Sequence, residues 1–157
     1  MIQKSTNSCF LTLSPKETSK LGELLAKDIL SCGFKKAFIL GLKGDLGGGK
    51  TTFIQGFAKG LGIKERITSP TFVIMKNYPI KRKSRYKRFF HLDCYRINNE
   101  KEILDLGFKG IISSPENIVA VEWAERIKKI LPKGSLMLDF DFIDEKTREI
   151  VLKLKND

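Results

Sequence analysis

Gly44, four further residues, and then Gly49-Lys50-Thr51 form a spacing suited to phosphate chemistry, the pattern G-x-x-x-x-G-K-[ST]. Glycines let successive backbone N–H groups turn inward on an anion, where side chains would block its approach. A helix opening at about Lys50 adds its unpaired N–H groups and the positive end of its dipole. Lys50 can reach the β- and γ-phosphates of a nucleoside triphosphate, and the Thr51 hydroxyl can ligate Mg²⁺. The loop residues expected to hold the nucleotide are Asp45, Leu46, Gly47, Gly48, Gly49, Lys50, Thr51 and Thr52. A pattern this short also arises by chance in a glycine-rich turn, so its surroundings decide.

A phosphate loop needs a carboxylate at the end of a neighbouring apolar strand, to hold Mg²⁺ directly or through water. Asp93 follows Phe89-Phe90-His91-Leu92, and Glu122 follows Ile118-Val119-Ala120-Val121. Either acid could hold the metal while the other orients the attacking water. The competing reading of each is a strand-end carboxylate that caps the next helix. Between loop and acids, Thr68, Ser69 and Thr71 offer hydroxyls of the kind that sense a γ-phosphate, or simply an ordinary Ser-Pro turn. Trp123, the sole tryptophan, adjoins Glu122 and could equally be a half-buried anchor. His91 is the only histidine and shares a strand face with Asp93. It has no partners for a Ser-His-Asp triad, and one histidine argues against a histidine-rich metal site.

These residues need a strand before the loop and a helix after it. Ala37 to Leu42 reads as a buried strand, and Phe53, Phe57 and Leu61 fall on one face of a helix. Upstream, Cys9–Leu13 reads as a strand and Ser14-Pro15-Lys16-Glu17 as a capped helix start, with Leu21, Leu24, Leu25 and Ile29 as its apolar stripe. Downstream, a strand over 73–78 and one over 89–93 should pair as an antiparallel hairpin. A cap box at Asn99–Glu102 opens a helix ending near Leu106-Gly107, and a short helix is expected over 123–131, before Pro132. Alternation in 136–142 and 150–154 predicts a closing hairpin. The expected fold is α/β, a mixed sheet with a parallel P-loop core, antiparallel flanking strands and helices on both faces.

With 157 residues the chain should form one domain over 1–157, large enough to bury about 70% of its unfolded surface. No apolar run reaches membrane-spanning length, residues 1–8 lack the apolar core of a signal peptide, and no membrane partner is expected. Cys9, Cys32 and Cys94 are widely spaced with no C-x-x-C, which suits buried thiols in a reducing cytoplasm. The net charge is +11, and the run Lys81-Arg82-Lys83-Ser84-Arg85-Tyr86-Lys87-Arg88 carries six of the cations and no acid. Such a run attracts RNA, DNA or an acidic protein face, or serves as a solvated loop guarding a sheet edge.

The chain resembles the TsaE (YjeE) family of small bacterial P-loop ATPases. The likeness rests on Gly44–Thr52, Thr68-Ser69-Pro70-Thr71-Phe72, His91-Leu92-Asp93-Cys94-Tyr95-Arg96, Leu106-Gly107, Val121-Glu122-Trp123 and Leu131-Pro132, in the family's order and spacing. The resemblance implies a weak Mg²⁺-dependent ATPase that serves tRNA threonylcarbamoyladenosine formation beside the TsaB and TsaD proteins and is not itself the transferase. It implies that Lys50 and Thr51 serve phosphate and Mg²⁺, and that Asp93 is the Walker B-like acid. Glu122 and Trp123 then belong to the nucleotide site, with 68–71, including Thr71, as a switch-like segment. The family usually has Ala where Gly48 stands, often has an acid where Asn77 stands, and usually has a shorter, less charged 81–88. That segment could meet tRNA or an acidic partner face. A small P-loop kinase with 81–88 as its lid, a nucleotide-dependent assembly switch with incidental hydrolysis, and an RNA-binding module resting on net charge alone are the rival readings.

Overall fold

The computed structural model describes residues 7–45 and 47–156. Seven strands form one sheet: β1 (Ser8–Thr12), β2 (Phe38–Lys43), β3 (Met75–Pro79), β4 (Arg88–Asp93), β5 (Asn117–Glu122), β6 (Leu136–Phe142) and β7 (Arg148–Leu154). Their spatial order is β1-β7-β6-β2-β5-β4-β3. β6, β2, β5 and β4 run parallel, while β7, β1 and β3 pair antiparallel at the flanks. The mixed α/β sheet expected from the sequence is therefore present, with helices on both faces.

Strand alternation explains the two faces. Phe38, Leu40 and Leu42 of β2, Phe89 of β4 and Ile118 and Ala120 of β5 join a core under α1 (Pro15–Leu30) and α2 (Lys50–Gly60). Ile39, Phe90, Leu92, Val119 and Val121 face the other way, against α3 (Lys101–Leu104), α4 (Phe108–Ser113) and a 3₁₀ turn at Ala124–Ile127. By the same alternation, His91, Asp93 and Glu122 fall on the α2 side. Burying Phe53 and Phe57 completely contributes about 1.5–3 kcal/mol each.

The α1 cap forms as its sequence predicts. Ser14 Oγ accepts from Glu17 N at 3.1 Å, and Glu17 Oε2 accepts from Leu13 N at 2.7 Å. Three of the four expected stripe residues face the core, Ile29 buried and Leu21 and Leu25 half-buried against it, but Leu24 is 48% exposed and the fully buried line adds Thr18, Gly22 and Ala26. The helices pack backbone to backbone, so the small residues face inward. A Cβ on Gly22 would lie 2.2 Å from Phe53 O, and one on Gly56 would lie 1.8 Å from Ser19 O.

Three further boundaries move. β3 begins at Met75 rather than 73, because 71–74 forms a turn that ends on Ile74 at φ 68°. The helix expected to end at 107 stops after four residues at Leu104; Gly107, at φ 83°, then lets α4 begin. Residues 123–131 hold only the 3₁₀ turn, entered through Trp123 at φ 57°. The 73–78, 89–93 and C-terminal hairpin pairings form as expected. No helix among the described residues is long and apolar enough to cross a membrane.

Candidate functional site

β2 delivers the chain into the glycine loop, and α2 starts at Lys50. Gly44, Gly47 and Gly49 have φ of 146°, 76° and 93°, backbone that L side chains rarely adopt. At Gly44 space is a second constraint, since a Cβ would lie 2.6 Å from Phe140 O. The glycine pattern thus follows from both geometry and crowding. Leu46 lies outside the described residues.

Gly47–Thr52, Ser69, Thr71, Asp93, Tyr95, Glu122, Trp123 and Arg148 line one cleft of about 420 Å³ at the carboxyl ends of the parallel strands, where open α/β sheets bind ligands. All the expected site residues in the described part meet there except Asp45, which takes part through its backbone. Lys50 Nζ donates to Asp45 O at 2.8 Å and also to Gly44 O, and it faces the Trp123 ring at 4.3 Å. Burial pulls the Lys50 pKa down, opposed by Glu122, Glu125, Asp45 and Asp93. These carboxylates favour the charged ammonium that a phosphate site requires.

The two acids are register partners, Asp93 opposite Glu122, and each is only 3% exposed. Glu122 Oε1 accepts from Thr51 Oγ1 at 2.8 Å, so the first turn of α2 is joined directly to the end of β5. Asp93 accepts from Thr71 Oγ1 at 2.8 Å, from Tyr95 N at 2.9 Å and from Ser69 Oγ. Of the three hydroxyls considered in 68–71, Ser69 and Thr71 reach the acids, whereas Thr68 is exposed and does not line the cleft. The helix-capping reading fails for Glu122, whose partners are Thr51, Ser69 and His91. Asp93 Oδ1 does accept a backbone N–H two residues on, but its other oxygen faces the hydroxyls. The hydroxyl of Thr51 beside two carboxylates is an all-oxygen donor set, the kind that suits Mg²⁺.

Sequence reasoning missed three contributors. His91 is fully buried, with Nε2 2.8 Å from Glu122 Oε2; its two-residue offset from Asp93 was visible, but its partner on β5 was not. Arg148 comes from β7, far along the chain. Its Nη2 donates to Gly47 O at 2.9 Å and its guanidinium lies over the Phe142 ring at 4.5 Å. No local pattern marks it. Tyr95 packs its ring 5.1 Å from Trp123.

The 81–88 segment is not at this cleft. It joins the end of β3 to the start of β4, whereas Asp93 at the other end of β4 faces the cleft, a strand of about 20 Å away. A lid role over an acceptor is therefore overturned, and with it the structural basis of the kinase rival.

The family model for "Threonylcarbamoyl adenosine biosynthesis protein TsaE" matches residues 12–150. The Bacillus subtilis protein named tRNA threonylcarbamoyladenosine biosynthesis protein TsaE is 37% identical over 139 residues, covering 88% of this chain and 80% of that protein. The Nostoc protein of the same name is 40% identical, covering 73% of this chain and 67% of its own length. The crystal structure of Bacillus subtilis YdiB superposes with a TM-score of 0.70 at 32% identity, over 96% of this chain and 87% of that one. With a family match across most of its length and a cleft built from the motif residues, the chain belongs to the TsaE family.

Proposed function

We propose that this chain is the ATP-hydrolysing subunit of tRNA threonylcarbamoyladenosine synthesis, acting as a single cytoplasmic domain beside the TsaB and TsaD proteins without being the transferase. The observation that carries the ATPase reading is the Thr51–Glu122 hydrogen bond, with Asp93 alongside at the mouth of the glycine loop. It supports a shared site for nucleotide and metal. The role in tRNA modification is supported by the relatives that carry that name.

The loop N–H groups and the α2 terminus cradle the phosphates of ATP, and Lys50 moves from the loop carbonyls onto the terminal phosphates. Thr51 and Glu122 would hold Mg²⁺, with Asp93 beside them, and the ion when bound would supply neutralisation of the charge on the phosphoryl oxygens. Asp93, its carboxylate fixed by Ser69, Thr71 and Tyr95 N, is placed to orient the attacking water. Water oxygen bonds to the γ-phosphorus as the bond to the β-phosphate oxygen breaks, the water's proton passes by way of Asp93 to the released phosphate, and ADP leaves. Ser69 and Thr71 link the switch-like segment to this event. Trp123 and Arg148 shape the walls of the nucleotide cleft.

Phosphate release from ATP, measured alone and with a TsaB–TsaD pair, tests this reading. Stimulation by the pair, lost in Asp93→Ala, is expected. Absence of stimulation would leave only nucleotide binding, and full multi-turnover modification with a non-hydrolysable ATP analogue would favour an assembly switch instead.

A further inference from the structure

The amino ends of the parallel strands gather charge that the nucleotide cleft does not use. Four connecting segments meet there, 31–37, 80–88, 113–117 and 132–135, and together they carry nine cations and one acid, Glu116. Most of the net charge of +11 is thus on one face. The segments are held in place. The buried Tyr86 donates its hydroxyl to Cys32 O at 3.1 Å, Arg82 donates to Gly60 O at 2.9 Å and Arg85 to Phe34 O at 3.1 Å. Those anchors leave Lys35, Lys36, Lys81, Lys83 and Lys133 exposed, with no hydrogen bond or ion pair of their own among the described residues.

The same end holds an apolar cleft of about 520 Å³, lined in part by Ile29, Phe34, Phe38, Leu136 and Leu154 and rimmed by Lys35, Lys36 and Lys133. Phe34 is 40% exposed, its ring tilted against that of Phe38 with centroids 5.6 Å apart. Lysine is depleted in protein–protein interfaces, whereas ammonium groups bind phosphates as point charges. An exposed aromatic ring among such cations is the arrangement that takes an unpaired base between backbone phosphates.

We propose that this end of the sheet binds a single-stranded stretch of RNA, its phosphates on the lysines and a base against Phe34. The choice of RNA over DNA rests on the proposed role in tRNA modification; the choice of a nucleic-acid strand rests on the charge and the cleft. It separates two surfaces: ATP at the carboxyl ends of the strands, RNA at the amino ends.

The test titrates the full-length protein with a fluorescein-labelled unstructured RNA and with unmodified tRNA across a salt series, with ATP binding measured in parallel. The quadruple variant Lys35→Gln, Lys81→Gln, Lys83→Gln, Lys133→Gln should flatten the slope of log K against log salt by about 3, given about 0.7 per phosphate on single strands. It should weaken binding at least tenfold while ATP binding is unchanged. Phe34→Ala should weaken binding and leave the slope as it was. An unchanged slope in the quadruple variant, an unchanged affinity in Phe34→Ala, or tighter binding to a length-matched duplex overturns the proposal. So does a wild-type protein that ignores RNA yet binds an acidic protein through these lysines. Because ATP binding is read separately, failure here leaves the ATPase reading intact, and loss of ATP binding by the wild type would not disturb this one.

Discussion

Asp93 and Glu122 stand side by side at the carboxyl ends of β4 and β5, almost wholly buried and each joined to several donors. At the opposite ends of the same sheet, exposed lysines extend from segments that are pinned by backbone carbonyls. Strain follows the same division. The two non-glycine residues at positive φ among those described, Ile74 and Trp123, both adjoin the acids: Ile74 O accepts from Asp93 N at 2.8 Å, and Trp123 follows Glu122. Each such residue costs about 1–3 kcal/mol, and such strain clusters at sites where placement matters. One end is therefore built for fixed geometry and the other for long-range attraction.

The largest effect should come from the geometric end. Lys50→Ala and Asp93→Ala should each reduce phosphate release by at least about 100-fold, since this chemistry rests on positioning and charge stabilisation. Thermal unfolding should show both variants folded. Near-normal turnover in either would remove that residue from the mechanism.

His91 sharpens the contrast at the next level down. Held 2.8 Å from Glu122, it would act through that carboxylate on the proposed mechanism, and groups placed behind a metal-binding residue typically account for about 10–100-fold in activity or metal affinity. His91→Gln should lose that much in Mg²⁺-dependent turnover and raise the Mg²⁺ concentration needed for half-maximal rate. The lysine variant described above should change neither. A matching loss in both would mean the two ends are coupled.

The elements that make this division were unequally legible in the sequence. The P-loop, the strand-end acids and both hairpins are set by local spacing, so reading along the chain finds them. Which residues of α1 face inward was only partly legible: Leu21, Leu25 and Ile29 pack on the core as expected. Periodicity favours Leu24, but the tight approach of α2 selects Gly22 and Ala26. Arg148 and the His91–Glu122 contact depend on strand order, since β7 and β5 reach the site from distant parts of the chain. The place of 81–88, at the end of β4 remote from the P-loop, was by contrast implied by the expected antiparallel pairing of β3 with β4.

Because α1 and α2 span both ends, disturbing their packing should weaken stability without favouring either surface. Gly56→Ala forces a Cβ to within 1.8 Å of Ser19 O and should cost about 1–3 kcal/mol. At about 2–4 °C per kcal/mol for a chain of this size, the unfolding midpoint should drop by several degrees. An unchanged midpoint would show that the helices separate freely, contrary to backbone-to-backbone packing.

The smallest effect is a titration beside the site. Burial, with Asp93 and Glu125 adding to it, pushes the Cys94 thiol up to about 12 from 9.0. The folded chain therefore keeps a proton that the unfolded chain gives up first. Stability from this group is fully present below pH 9 and is lost as the pH rises from there towards about 12. Comparing wild type with Cys94→Ala by urea unfolding at pH 8 and pH 10 should show their stability difference shrinking at the higher pH. The thiol should also resist alkylation at pH 8 while the exposed Cys32 reacts, since the thiolate is the nucleophile. Rapid labelling of Cys94 in the folded protein would mean that the strand end beside Asp93 opens readily, and the fixed geometry assigned to this end of the sheet would not hold.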